Sequence, residues 1–144
     1  LALSIGTDIV KVDRFSSWKN FSKKQFLRVF LENELEDCKK DGMYDFVRLA
    51  ARFAAKEAFF KALSSALVKL GFTKNEFSFL FLCKNVEISK TTWGVPVLKI
   101  DWSVLQGKIG QKLPEFEVEL SLSHEKDYAV AFVVLGEKGC EEKN

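Results

Sequence analysis

Arg52-Phe53-Ala54-Ala55-Lys56-Glu57-Ala58-Phe59-Phe60-Lys61-Ala62-Leu63 is the stretch on which the fold turns. Extended back to Asp45 and forward to Leu67, it predicts one long helix, because good helix formers run through it without a Gly or Pro. Advancing roughly 100° per residue from Arg48 puts Arg48, Arg52 and Lys56 within about 80° of one another, an arc that reads as a solvated basic edge. Glu57 and Lys61 fall on the other side. Their angular neighbours are Phe46, Ala50, Phe53, Ala54, Phe60 and Ser64, so a carboxylate and an ammonium stand one turn apart in an apolar stripe. A purely structural Glu-to-Lys pair at this spacing contributes about 0.2–0.5 kcal/mol. The other reading is a chemical site.

Outward from this helix, 144 residues suffice for one core but not two, and the expected organisation is a single domain over 1–136 with a charged, flexible tail over 137–144. A hydrophobic content of 47%, 29% charged residues and 14 Phe describe a globular chain and exclude general disorder. The net charge of +2 conceals an asymmetry: Lys11, Arg14, Lys19, Lys23, Lys24 and Arg28 face only Asp13 in the first block, after which Glu32, Glu34, Glu36, Asp37, Asp41 and Asp45 outnumber Lys39 and Lys40. The basic block suits an acidic partner, or it is a solvated face. Cys38, Cys83 and Cys140 lack metal or redox spacing, and with a single His they argue against zinc and for a reducing compartment. No apolar run approaches the roughly 18 residues that span a bilayer, and the chain opens on an expected strand instead of a leader. The expectation is a cytoplasmic protein without membrane association.

The helix is flanked by elements of different character. Ala2 to Val12 reads as a strand in which Gly6 permits close approach by a backbone or ligand. Short helices are expected at Lys23 to Phe30 and Glu32 to Lys40, and Gly71 as the long helix's terminator. Phe77 to Cys83 and Val86 to Ser89 read as strand, Gly94-Val95-Pro96 as a turn, and Val97 to Trp102 as strand. The Phe77 to Cys83 run is either deep core or a subunit contact. Alternation over Glu115 to Ser123 puts Phe116, Val118, Leu120 and Leu122 on one face, and the apolar run Tyr128 to Leu135 suggests a strand buried on both faces. Helices and antiparallel hairpins in separate blocks make the fold α+β.

Three places carry chemistry. Asp8 lies inside an apolar strand, where it either caps a backbone amide or meets a partner. If it meets Glu57, the two carboxylates repel unless a cation separates them, and oxygen-only ligation of that kind suits Mg²⁺ with phosphate oxygens completing the shell. Lys61 then supplies a second positive charge against phosphate. His124 closes Ser121-Leu122-Ser123-His124 at a strand end, the one side chain whose ordinary titration lies near neutrality. Ser and His this close along a strand do not form a hydrolase triad, and no glycine-rich phosphate loop is present.

Gly6-Thr7-Asp8-Ile9-Val10 with Val12-Asp13-Arg14-Phe15, the central Arg52 to Ala58 stretch with Lys61-Ala62, and Ser121 to His124 together resemble the holo-acyl-carrier-protein synthase family, the short 4′-phosphopantetheinyl transferases. Phe26, Arg28, Glu34-Leu35 and Gly94-x-Pro96 add to the resemblance, which covers nearly the whole chain. It implies a 4′-phosphopantetheinyl transferase-like fold, with a long central helix packed on an antiparallel sheet. It also implies transfer of phosphopantetheine from coenzyme A to a serine of acyl carrier protein, in support of fatty acid biosynthesis. The implied roles are Mg²⁺ held by Asp8 and Glu57, catalysis by Glu57 and Lys61, coenzyme A binding by Lys61, Arg52, Ser123 and His124, and carrier docking by Arg14, Lys23, Lys24 and Arg28. A homotrimer with sites between subunits is implied as well. The chain departs from the family where Ser64 to Gly71 replaces a glycine-rich turn, in an extended segment through Cys83, and in a long Trp102 to Lys112 segment. A non-catalytic coenzyme-binding module is the rival reading, opposed by the intact Asp8, Glu57 and Lys61. Nucleic-acid binding through the basic block lacks aromatic interleaving and is not expected.

Overall fold

The computed structural model describes residues 3–74 and 77–139. Helix α3, Phe46–Lys69, lies across a three-stranded antiparallel sheet of β1 (Leu3–Lys11), β7 (Tyr128–Glu137) and β6 (Phe116–His124), in the order β1-β7-β6. Asp45 caps the helix by accepting from the amides of Val47 and Arg48. At the other end Gly71, with φ of 90°, takes the left-handed conformation. The Phe72 amide returns to the Leu67 carbonyl and the Gly71 amide to Val68, a Schellman ending that uses the expected glycine.

Gly6 determines how closely helix and sheet meet. A Cβ at this position would stand 1.9 Å from the Ala58 carbonyl oxygen and 2.7 Å from the Ala62 nitrogen, so the helix backbone rests directly on the strand. Ser4, on the same side of β1, donates its hydroxyl to the Ala62 carbonyl at 2.8 Å. Strand alternation continues this side through Gly6 to Asp8, which pairs in register with Ala131 of β7.

Around this centre a 3-10 segment, Val12–Asn20, anchors Phe15 and Trp18 in an aromatic cluster with Phe26, Phe30 and Phe53. The short helices α1 (Lys23–Phe26) and α2 (Glu32–Asp37) and a small hairpin of β2 (Lys39–Lys40) and β3 (Met43–Tyr44) lead into α3. After α3 come α4 (Phe79–Lys84), the hairpin β4 (Val86–Lys90) and β5 (Pro96–Ile100), and α5 (Trp102–Ile109). Strand β5 lies against β6.

Besides the second short helix, which ends at Asp37 and gives way to β2 at Lys39, four readings of the sequence are corrected. The run Phe77 to Cys83 contributes a helix, α4, because Ser78 accepts from the Phe81 amide and so caps it, and a short apolar run has no period that separates strand from helix. Trp102 opens α5, not a strand end, since Asp101 accepts from the Val104 amide. Strand β7 buries only Ala129, Ala131, Val133 and Leu135; Tyr128, Val130 and Phe132 face outward beside Ile5 and Ile9, because the chain supplies a second layer on one side of the sheet only.

The fourth correction inverts the helix's two faces. Lys56 is fully buried and Arg52 is 3% exposed, so they are no solvated edge. The Lys56 ammonium donates to Glu34 Oε1 at 2.6 Å and to the carbonyls of Val29 and Cys83 at 2.9 and 2.8 Å. The Glu34 carboxylate also accepts from the amides of Leu31 and Ile88. Elements α2, α4 and β4 fold over this side of α3, which the angular arrangement of one helix does not reveal. Pairing of β7 with β6 reaches Glu137, and the Lys138 amide bonds to the Glu115 carbonyl.

Candidate active site

Two clusters of functional side chains flank α3. The first is built from β1 and one stripe of the helix. Asp8, on the helix-facing side of β1, receives the Lys61 ammonium at 3.1 Å, and Lys61 also donates to the Thr7 carbonyl at 3.0 Å. The Lys61 side chain remains 51% exposed, leaving its ammonium open to a ligand. Glu57 stands one turn before it, half-buried. Burial pushes the Glu57 carboxyl above the usual carboxylate range, the Asp8 charge adds to that rise, and Lys61 and Arg14 oppose it. At Glu57 the nearby cations therefore do not offset burial and the like charge of Asp8.

The donor set has the character of a hard-cation site. Among the described residues no group of three or more His, Cys, Asp or Glu side chains is placed to cage a metal. Two carboxylates fit an ion that keeps water and takes phosphate oxygens, the habit of Mg²⁺. Thiol chemistry has no place here: Cys38 and Cys83 are free and buried, and burial pushes them up to about 11 and about 12. Cys140 lies outside the described residues.

The second cluster surrounds a cavity of about 160 Å³ between the start of α3, the β4–β5 hairpin and the end of β6, lined by Arg48, Arg52, Lys90, Gly94 and His124 among others. Arg52 carries its own signal: one guanidinium nitrogen approaches Asp37 at 3.6 Å, while its Nε is buried without a hydrogen-bond partner. The cavity itself carries Arg48, Arg52 and Lys90 on its walls, a concentration of positive charge that suits an anion.

Not all the expected site residues meet. Asp8, Glu57 and Lys61 gather over β1, one edge of the sheet; Arg52 and His124 gather over β6, the other edge, with α3 between. Ser123 lies on the opposite face of β6 from His124, paired with the outward-facing Val130. Arg14, Lys23, Lys24 and Arg28 are all exposed. The Arg14 guanidinium lies 5.4 Å over the Phe53 ring and its charge reaches Glu57, whereas Lys23 is engaged by Glu32 at 2.8 Å. Sequence reasoning missed Lys90, whose only signal was its place before the Gly94-x-Pro96 turn, and the Glu34–Lys56 pair, whose separation of 22 positions along the chain offers no signal.

Comparison with known proteins identifies the family. The family model for the 4′-phosphopantetheinyl transferase superfamily matches residues 4–133. The chain is similar to a holo-[acyl-carrier-protein] synthase of Ehrlichia chaffeensis, 42% identical over 138 residues that cover 94% of this chain and 97% of that one. It is similar to another from Borreliella burgdorferi, 37% identical over 92% of this chain and 97% of that one. Among solved structures, an ACPS–CoA complex from Chronobacterium ammoniagenes superposes with a TM-score of 0.78 at 27% identity, covering 96% of this chain and all of that one. A holo-(acyl-carrier-protein) synthase from Bacillus anthracis in complex with CoA superposes with a TM-score of 0.63 at 30% identity, covering 96% of this chain and 100% of that one. The chain belongs to the 4′-phosphopantetheinyl transferase superfamily, as an enzyme of its holo-[acyl-carrier-protein] synthase family.

Proposed function

We propose that this chain transfers the 4′-phosphopantetheine group of coenzyme A to a serine hydroxyl of apo acyl carrier protein with Mg²⁺, in the cytoplasm and in support of fatty acid biosynthesis. The observation that carries the reading is the raised Glu57 carboxyl beside Asp8, with the Lys61 ammonium paired to Asp8 and still exposed. Two carboxylates in that state accept a divalent ion, and an adjacent ammonium suits a diphosphate.

Asp8 and Glu57 would hold Mg²⁺, which when bound neutralises charge on the diphosphate. The serine oxygen bonds to the phosphorus that bears pantetheine, the phosphoanhydride bond breaks, and adenosine 3′,5′-bisphosphate leaves with the electron pair. Lys61 steadies the phosphate oxygens as charge builds on the leaving side. Glu57, whose affinity for a proton is raised, is the group on this chain placed to draw the serine proton, directly or through water.

The cationic cavity of Arg52 and His124 takes another anionic part of coenzyme A. Its separation from Asp8 and Glu57 across α3 supports a homotrimer in which a neighbouring subunit brings the second cluster to the first. The outward apolar side chains Ile5, Ile9, Tyr128 and Phe132 supply the surface for that assembly. Arg14, Lys24 and Arg28 would dock the acidic carrier protein, with Arg14 nearest the reacting group.

The test is a mass measurement. Apo carrier protein incubated with the enzyme, coenzyme A and Mg²⁺ should gain the mass of one phosphopantetheinyl group, and should gain none when Mg²⁺ is chelated. An unchanged carrier mass with coenzyme A tightly bound would favour the non-catalytic binding module.

A further inference from the structure

Trp93 is 92% exposed, the most exposed of the large apolar side chains among the described residues. It stands in the turn between β4 and β5, and that turn is well bonded. The Thr91 amide donates to the Val95 carbonyl at 2.9 Å, the Gly94 amide to the Thr91 carbonyl at 2.9 Å, and the Val95 amide to the Thr91 hydroxyl at 3.2 Å. Gly94 adopts φ of 76°, a left-handed conformation that glycine takes without strain. The indole makes no ring contact with any described residue, although Trp18 and Trp102 both pack on phenylalanines. A hydrogen-bonded turn thus presents a flat aromatic surface to water.

The same turn borders the cationic cavity: Lys90, Gly94 and Pro96 form one wall, facing Arg48, Arg52 and His124. At about 160 Å³ the cavity accepts a phosphate group. It is well below the roughly 300 Å³ at which pockets begin to enclose an entire small molecule. A nucleotide whose phosphate occupies this cavity must therefore leave its base outside it, and Gly94, the residue after Trp93, is part of the cavity wall. The cluster of Arg48, Arg52 and Lys90 on its walls suits an anion inside.

We propose that Trp93 stacks on the adenine of coenzyme A while Arg52, Lys90 and His124 hold a phosphate of the same nucleotide. Base–indole stacking needs only a π-face and is favourable enough to repay an exposed tryptophan. This assignment rests on the functional reading above and adds a specificity-determining residue to it. It makes Trp93 a reader of the nucleotide end of the substrate, with no part in the transfer step.

The experiment uses the full chain and three ligands. Calorimetric titration with adenosine 3′,5′-bisphosphate should show Trp93→Ala binding about ten-fold more weakly than wild type, with Trp93→Phe restoring most of the loss. Inorganic pyrophosphate, which has no base, should bind both proteins alike. The KM for coenzyme A should rise by a similar factor, the effect falling on KM more than on kcat, and nucleotide should quench tryptophan fluorescence in wild type only. Equal bisphosphate affinity in wild type and Trp93→Ala, with carrier protein still modified by both, overturns the stacking role alone. Loss of pyrophosphate and bisphosphate in parallel, or a changed subunit assembly on size exclusion, overturns it by making Trp93 a scaffold or subunit contact. A wild-type chain that neither binds the bisphosphate nor modifies carrier protein overturns the functional reading with it.

Discussion

Glu57 concentrates the chemistry of the chain in one side chain. Burial first and the Asp8 charge second raise its proton affinity, so folding makes ionisation of this carboxyl harder than in the unfolded chain. A carboxyl with a raised folded-state pKa lowers stability as pH climbs from its unfolded value through its folded one, and the deficit persists above that range. Glu57→Gln removes the deficit. At pH 7 without metal the variant should melt at or above the wild-type temperature, and the difference should shrink as pH falls through the carboxylate range. Adding Mg²⁺ should raise the melting temperature of wild type and leave the variant unmoved, while transfer falls by about 10²–10³-fold or more. A transfer-competent Glu57→Gln enzyme would remove this residue from the mechanism.

At the scale of elements, the site depends on two contacts of α3. The first is its seat on β1. Gly6→Ala would force a methyl into the Ala58 carbonyl, and because a backbone atom cannot step aside, the helix must lift from the strand. The expected cost is about 3 kcal/mol, at the upper end for overpacking, read from the urea midpoint. Activity should drop with it, since Asp8 and Glu57 stand on the two elements being separated. The second contact is the buried Glu34–Lys56 pair, which joins α2, α4 and β4 to the helix side opposite the carboxylates. Lys56→Met leaves Glu34 charged without its counter-ion and should cost about 3–5 kcal/mol, with Glu34→Gln and Lys56→Met together costing less than the sum of the two. Denaturation of the two single variants and the double variant measures the coupling.

The whole molecule presents two surfaces that one chain does not use. On the open side of the sheet, Phe132→Glu places a charge among Ile5, Ile9 and Tyr128 and should shift the protein to a monomer by sedimentation. Transfer should be lost with assembly, because Arg52 and His124 stand over the far edge of the sheet from Asp8. A fully active monomer would disprove a site shared between subunits. Across the other surface, charge reversal at Arg14 or Arg28 should raise the KM for carrier protein about ten-fold and affect that for coenzyme A less, with added salt reproducing part of the effect in wild type. Lys23→Glu should do less, since Glu32 already occupies that ammonium.

Local chemistry made much of this readable from the chain alone. The central helix follows from its composition and Asp45 cap, the close approach at Gly6 from a missing side chain, and the alternation of Phe116 to Leu122 from strand geometry. Asp8, Glu57 and Lys61 stood out because charge in an apolar pattern needs a partner, and the fold brings Lys61 to Asp8. What only tertiary structure decided is which sectors are covered. A helical wheel assigns angles to Lys56 and Glu57 but does not tell which angle α2 and β4 will occupy, so the residue that seemed solvated is the buried one. The run Phe77 to Cys83 became helix through a serine cap, and β7 kept one face open, because apolar side chains record a preference for burial without naming the surface that provides it.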